Sequence, residues 1–103
     1  MAEITVGEIS SWYLSKEKAL ADWGIQFAGV KERTVYVPSA LVDLDTSTKI
    51  ARISGWVSGE FDFEILDRAS GEIVYFRHES VSKIRNDELE LAFEEFIEKL
   101  RRT

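Results

Sequence analysis

Three acidic residues at alternate positions are the first residues in the sequence that could do chemistry. Glu60, Asp62 and Glu64 alternate with apolar residues, and a period of two places such residues on one face of a β-strand. A row of carboxylates can bind calcium or act in acid–base catalysis. Calcium, however, needs loop oxygens and a glycine turn, and a catalytic pair needs a cleft that separates the two pKa values. A solvated strand face is therefore the favoured interpretation.

The only histidine, His78, is the other candidate for catalysis. It could act as a base with a nearby carboxylate, but its place in a strand between Arg77 and Glu79 favours a surface or partly packed side chain. One histidine cannot supply a multi-histidine metal site. The glycine spacing matches no phosphate-binding motif, and no G-x-S-x-G elbow occurs. The sequence thus predicts a binding protein that is not an enzyme and has no catalytic residues, metal or cofactor.

A helix from Thr5 to Trp23 is the first element expected to position these residues. Thr5 and Glu8 have the spacing of a capping box, and Gly24 lies where a helix C-cap is expected. Apolar residues recur at helical spacing between these ends, and Lys16 interrupts them. The aliphatic stem of a lysine can lie along apolar surface, so the helix is retained.

A second amphipathic helix is predicted at the end of the sequence. Either Asn86 or Asp87 should cap it, and Asp87 and Glu90 again have capping-box spacing. Its apolar stripe consists of Leu89, Ala92, Phe93, Phe96, Ile97 and Leu100.

Short alternating segments between the two helices predict β-strands. They cover residues 25–29, 34–37, 40–45, 49–57, 60–66 and 72–79. Ser58-Gly59 indicates a two-residue hairpin turn, and Asp67 to Gly71 a five-residue turn. The expected fold class is α+β, an antiparallel β-meander sheet of four to five strands with an N-terminal and a C-terminal helix packed on one face. The other face is exposed to solvent, and function is expected there.

Trp56 and Phe76 are the aromatic residues whose places the sequence leaves open. The aromatic residues on apolar stripes are assigned to the core: Trp12, Trp23, Phe61, Phe63, Phe93 and Phe96. Simple alternation places Trp56 on the polar face with Arg52 and Ser54, where it would be an interface anchor. A bulge at Gly55 would instead turn it into the core.

Acidic residues are concentrated in the middle of a chain whose net charge is −6. Asp43, Asp45, Glu60, Asp62 and Glu64 are expected on the exposed sheet face. Like charges side by side in a sheet cost stability, so either crossing Lys and Arg side chains or a basic partner must offset the repulsion. An acidic surface disfavours nucleic acid and anionic membranes as partners.

Length and composition bound the remaining possibilities. The 103 residues suffice for one domain, 1–103, and not for a second core. The absence of cysteine fits a reducing compartment. Residues 1–8 do not have the pattern of a signal peptide, and no apolar run is long enough to span a membrane. A cytoplasmic location is therefore expected.

The stretch from residue 36 to 100 resembles the TriTu family of immunity proteins. The resemblance lies in V-D-L-D at 42–45, K-I-A-R-I-S-G-W at 49–56, S-G-E-F-D-F-E-I-L-D at 58–67, S-G-E-I-V-Y-F-R-H-E at 70–79 and L-E-L-A-F-E-E-F-I-E-K-L at 89–100. The opening helix with Trp12 also fits.

The resemblance implies a role in bacterial competition. Such a protein is expected to neutralise a polymorphic ADP-ribosyltransferase toxin of the Rhs or type VI secretion kind, whose target is a translation elongation factor. It would be a monomer that forms a heterodimer with the cognate toxin. The residues expected to bind the toxin are Asp43, Asp45, Arg52, Trp56, Glu60, Asp62 and Glu64. The alternative is another acidic interaction module, or a nucleic-acid mimic that binds a basic protein. An exposed edge strand at 34–37 is a further candidate contact.

Overall fold

The structure, a computed structural model, describes residues 4–102. Within this range three helices and five strands follow in the order α1 Val6–Ser15, α2 Glu17–Asp22, β1 Gln26–Arg33, β2 Ser39–Asp45, β3 Lys49–Trp56, β4 Glu60–Asp67, β5 Ile73–Ser80 and α3 Asp87–Arg101. Each strand pairs in antiparallel fashion with the next along the chain. The predicted α+β meander is confirmed, with five strands. Residues 1–3 of the segment tested for a signal peptide lie outside this range.

The expected first helix is divided at Lys16 into α1 and α2. The predicted capping box is present, since the Thr5 hydroxyl accepts from the Glu8 backbone N–H at 3.1 Å and the Glu8 carboxylate accepts from the Thr5 N–H at 2.9 Å. The division follows from Ser15, whose hydroxyl donates to the Trp12 carbonyl at 2.6 Å. The Lys16 N–H bonds to the Tyr13 carbonyl, so a side chain competes with the regular helical ladder.

Trp23 is not in the core, contrary to the sequence prediction. It is 41% exposed, and its ring lies 5.3 Å from the Arg101 guanidinium of α3. The break at Lys16 ends the continuous apolar stripe on which the prediction depended. Gly24 ends α2 at a φ of 75°, as expected of a C-terminal glycine.

The cap of α3 is Asn86. Its side chain accepts from the backbone N–H groups of Glu88 at 2.9 Å and Leu89 at 3.2 Å. Glu90, expected to complete a box with Asp87, instead contacts α1. This decides between the two caps that the sequence left open.

One face of the sheet and the inner faces of the helices form the core. The helix α1 packs on β1 to β3 and α3 packs on β4 and β5. The sheet contributes Ala40, Val42, Leu44, Ala51, Ile53, Phe61, Phe63 and Ile65, and the helices contribute Ile9, Trp12, Tyr13, Leu20 and the predicted stripe of α3. Both helices therefore cover the same face, as predicted.

Residues 34–37 are not a strand but belong to the loop between β1 and β2. β1 extends to Arg33 instead, with a bulge between Phe27 and Val30, where Gly29 has a φ of 111°. A φ of 57° at Tyr36 is incompatible with extended structure. The prediction of an edge strand at 34–37 is thus wrong.

Gly55 does not mark a bulge. It pairs with Ala40 on one side and Phe61 on the other in continuous register. A Cβ atom there would lie 2.4 Å from Phe61 Cε2 and 2.9 Å from the Tyr13 hydroxyl. The glycine therefore makes room for two core aromatic residues, and the unbroken alternation places Trp56 on the face opposite the helices.

The two predicted tight turns of the meander agree to different degrees with the structure. The β3–β4 connection is a three-residue loop, 57–59, and not the expected two-residue turn. The Gly59 N–H bonds to the Trp56 carbonyl at 2.9 Å with a φ of 95°, a geometry that three-residue hairpin loops favour. The turn predicted at Asp67–Gly71 is present, with a 2.8 Å bond from the Gly71 N–H to the Asp67 carbonyl, but the five residues between the strands are 68–72.

Glu90 joins the first and last helices. Its carboxylate accepts from Trp12 Nε1 at 2.6 Å and from Lys16 Nζ at 2.5 Å. Lys16 Nζ also lies 5.0 Å from the centroid of the Phe93 ring. Partial burial favours a higher pKa for Glu90, but the two hydrogen bonds hold the pKa below its usual value. Lys16, which interrupts the apolar stripe of the first predicted helix, is thus part of the contact between α1 and α3.

Substitution of Gly55 by alanine should destabilise the protein by about 1–3 kcal/mol, because the added methyl group overpacks the core against Phe61. The same change at Gly7, a helical position whose Cβ would lie 3.9 Å from its nearest neighbour, should stabilise by about 0.5–1 kcal/mol. Urea unfolding of both variants measures the difference. Equal effects of the two substitutions would contradict the steric role of Gly55.

Substitution of Glu90 by glutamine should cost about 0.5–1 kcal/mol at pH 7, as expected of a partly exposed ion pair. A pKa below the reference value of 4.5 means that the carboxylate contributes stability above pH 4.5 and loses that contribution as the pH falls through the lowered pKa. The difference in urea unfolding between wild type and Glu90→Gln should therefore shrink at pH 3. Glu94→Gln, at an exposed position of the same helix, is the control.

Candidate protein-binding surface

The face of the sheet opposite the helices, called the open face, is organised in rows that run across the strands. Successive rows are Arg33–Ser39–Trp56, Lys31–Leu41–Ser54–Asp62–His78, Asp43–Arg52–Glu64–Phe76 and Gln26–Asp45–Ile50–Leu66–Ile73, with Glu60 paired to Ser80 at the edge. The rows follow from the period of two in β2, β3 and β4, whose other residues are in the core. All seven predicted site residues lie on this face.

Asp43, Arg52 and Glu64 are the predicted residues that the register brings closest together. The Arg52 guanidinium donates to both oxygens of Asp43, at 2.7 and 3.2 Å. The hydrogen bond with Asp43 is the main cause of a raised pKa for Arg52. A bidentate pair of this kind fixes the orientation of both side chains. The centre of the open face is therefore an ordered charged row.

Basic side chains cross the acidic positions elsewhere on the open face. Arg68 lies 3.7 Å from Asp45. His78 Nδ1 lies 2.6 Å from Asp62, and its Nε2 lies 3.7 Å from Glu60. Asp43 and Asp45 thus have arginine neighbours within the protein, which is one of the two means of offsetting their repulsion that the sequence allowed. His78 adds a positive charge beside Asp62 when its ring is protonated.

Two apolar patches flank the charged centre. The strand patch consists of Ile50, Leu66, Ile73 and Phe76, of which Ile73 and Phe76 are more than half exposed. The loop patch consists of the exposed Val35, Tyr36 and Val37, the half-buried Trp56 and the buried Leu41, at the diagonally opposite corner. Exposed apolar side chains grouped beside charged ones are typical of surfaces that bind proteins.

Tyr36 is the most conspicuous residue of the loop patch. Its side chain is 99% exposed and its backbone has a φ of 57°. The left-handed conformation costs a non-glycine residue roughly 1–2 kcal/mol. Strain of this kind is concentrated at functional sites, so the loop is a candidate contact.

The described residues were also searched for a metal site and for a membrane-spanning helix. Between residues 4 and 102, no three His, Asp or Glu side chains are grouped so that they could hold a metal ion. Within the same range, every helix is too short or too polar to cross a lipid bilayer.

Comparison with protein families decides the identity. The model of the family described as immunity protein TriTu matches residues 7–99. The chain belongs to the TriTu immunity protein family. A search among curated proteins finds no match. The matched range contains all five strands and therefore the whole open face of this TriTu protein. Membership supports an immunity role in which the protein binds a cognate toxin protein, and it confirms the resemblance seen in the sequence.

Several open-face residues of this TriTu protein escaped the sequence analysis. They are Lys31, Arg33, Leu41, Ile50 and Leu66. Phe76, whose place the sequence left open, lies on the open face, and residues 35–37 were expected as a contact in the form of an edge strand. The bulge in β1 hides the alternation that would have placed Lys31 and Arg33. Alternation in β2 and β3 is consistent with Leu41 and Ile50 opposite the core, but apolar residues at such positions do not by themselves indicate a binding site.

The pKa of His78 should lie above 6.5, because the hydrogen bond with Asp62 favours the protonated ring. The raised pKa means that the pair contributes stability below pH 6.5 and loses it as the pH rises through the folded-state pKa. NMR titration of the single histidine measures this pKa directly. Asp62→Asn should lower it, whereas Asp45→Asn, next to Arg68, should leave it unchanged. No response to Asp62→Asn would refute the pairing.

Proposed function

We propose that this TriTu protein binds and blocks a cognate secreted ADP-ribosyltransferase toxin that acts on a translation elongation factor. It inhibits by steric and electrostatic occlusion of the toxin's active site or docking surface, and it performs no catalysis. Residues 1–103 act as a single domain, which is a cytoplasmic monomer until it forms a heterodimer with the toxin. The family match supports the immunity role, and the name of the family suggests the class of toxin.

The open face is the proposed contact surface. The observation that carries this choice is that one sheet face is covered by α1 and α3 while the other presents all seven predicted residues together with two apolar patches. Trp56 and Phe76 are suited to act as anchors, since buried aromatic residues dominate the binding energy of many interfaces.

The charges of the open face should act mainly on the rate of association. Asp45 lies at the end of β2, Glu60 lies at the start of β4, and Glu64 lies between the two apolar patches. Carboxylates at these positions attract a basic surface over several ångströms. A toxin that binds NAD phosphates needs basic residues in its groove. Complementary charge would therefore steer the acidic part of the open face towards that groove.

A nucleic-acid mimic is less well supported. Such a mimic presents a continuous series of anions to a basic partner, whereas Arg52, Arg68 and His78 interrupt the acids of the open face. Mimicry predicts a steep loss of affinity with salt. An interface anchored by apolar patches predicts a weaker dependence on salt.

A binding titration between this protein and its cognate toxin domain, at two salt concentrations, tests the proposal. We expect nanomolar affinity and loss of the toxin's ADP-ribosyltransferase activity at equimolar inhibitor. Replacing the five open-face acids by their amides should slow association at least tenfold at low salt, and the effect should diminish at high salt. The five acids are Asp43, Asp45, Glu60, Asp62 and Glu64.

The matched control carries the same loss of five negative charges outside the open face. It replaces the exposed acids Glu17, Asp22, Asp87, Glu88 and Glu94 by their amides. Equal slowing by both sets would assign the effect to net charge and contradict the role of the open face. An absence of binding by the wild-type protein would refute the proposed function itself.

A further inference from the structure

A cleft at one corner of the open face has the opposite charge to the rest of the protein. It lies where the β1–β2 loop meets the ends of β2 and β3, and we call it the Arg33 cleft. Nine of the described residues line it, among them Arg33, Arg52, Leu41, Trp56 and the loop residues 35–37. Two of the nine are arginines and none is a carboxylate, although the protein has a net charge of −6.

Arg33 is the cation of this cleft that is free to meet a partner. Arg52 is already engaged by Asp43. Arg33 is exposed, and within residues 4–102 it has no carboxylate within 4 Å. Lys31, in the next row, lies opposite Leu41 and extends the positive charge along β1. A guanidinium in this position suits a carboxylate, which it can bind through two parallel hydrogen bonds.

The remaining lining of the cleft consists of five apolar or aromatic residues and two serines, Ser39 and Ser54. Among the apolar ones Leu41 is buried, Trp56 is half-buried, and the strained loop carries the exposed ring of Tyr36. Aromatic rings and an arginine side by side are the combination most enriched at energetically dominant contacts between proteins.

We propose that the Arg33 cleft binds a segment of the toxin that carries a carboxylate beside an apolar side chain. The carboxylate pairs with Arg33, and the apolar side chain lies between Leu41, Trp56 and Tyr36. This inference rests on the proposed function and adds to it, because the rest of the open face is expected to meet basic residues. The interface would then contain charge pairs of both polarities, which fixes the orientation of the toxin.

Whether reversing the charge at position 33 weakens or strengthens binding of the toxin tests this inference. Arg33→Gln should weaken binding of the cognate toxin domain about tenfold, and Arg33→Glu should weaken it further, with the larger loss at low salt. A basic toxin surface at this corner would give the opposite result, with Arg33→Glu binding more tightly than wild type. Lys18→Glu, an equal change in charge at an exposed position of α2, is the control and should leave affinity within twofold.

A second variant separates side-chain contact from loop conformation. Tyr36→Gly removes the ring but suits the φ of 57°, so unfolding should show a stability equal to or above that of wild type. Binding of the toxin domain should nevertheless weaken at least tenfold. Wild-type affinity in both Arg33→Glu and Tyr36→Gly would overturn the inference and leave the proposed function intact. An absence of binding by wild type would overturn both.

A nucleotide is the other ligand that an arginine beside aromatic rings could attract. Titration of the free protein with NAD, followed by tryptophan fluorescence, distinguishes it from a protein segment. We expect no saturable change up to millimolar NAD. Saturable NAD binding that Arg33→Glu abolishes would replace the inferred protein segment with a nucleotide.

Discussion

The contact between Gly55 and the ring of Phe61 is the constraint on which the arrangement of the sheet depends. Because β3 has no side chain there, Phe61 and Tyr13 can approach its backbone without forcing a bulge. The Tyr13 hydroxyl then reaches the Ala40 carbonyl at 2.8 Å and ties α1 to β2. Continuous alternation through β3 is what directs Arg52 and Trp56 away from the helices, so the composition of the open face follows from close packing on the opposite side.

The sequence was most informative where a single period held without interruption. β3 and β4 alternate between core and solvent, and β2 does so except at the buried Leu41. The bounds of the three strands differ from the predictions by one residue at most. β1 was placed poorly, because the bulge at 28–29 breaks its period and Gly29 resembles a turn. The division of the first helix was also missed, since the bond from the Ser15 hydroxyl to the Trp12 carbonyl has no counterpart in the pattern of apolar residues.

Prediction of the binding surface was limited by strand register, which the sequence does not reveal. Alternation assigns Asp43, Arg52 and Glu64 to one face, but only the register between strands shows that they form one row. The same holds for Asp62 and His78, which are 16 residues apart in sequence. The loop patch depends on the backbone conformation of Tyr36, and a left-handed tyrosine has no signature in the sequence. Residue types were therefore predictable, whereas their groupings required the fold.

The bond between Lys16 and Glu90 spans 74 residues, and this separation bears on the order in which the protein folds. The meander consists of consecutive hairpins with short loops, and such local pairings form early. The apolar face of β4 and β5, however, stays exposed until α3 has been synthesised, because α3 is what covers it. A nascent chain would thus present Phe63, whose ring packs against Phe96 of α3, to solvent during translation. Docking of α3 on β4 and β5, and of Glu90 on Trp12 and Lys16, is the step that removes this exposed apolar surface, the kind of surface through which incompletely folded chains aggregate.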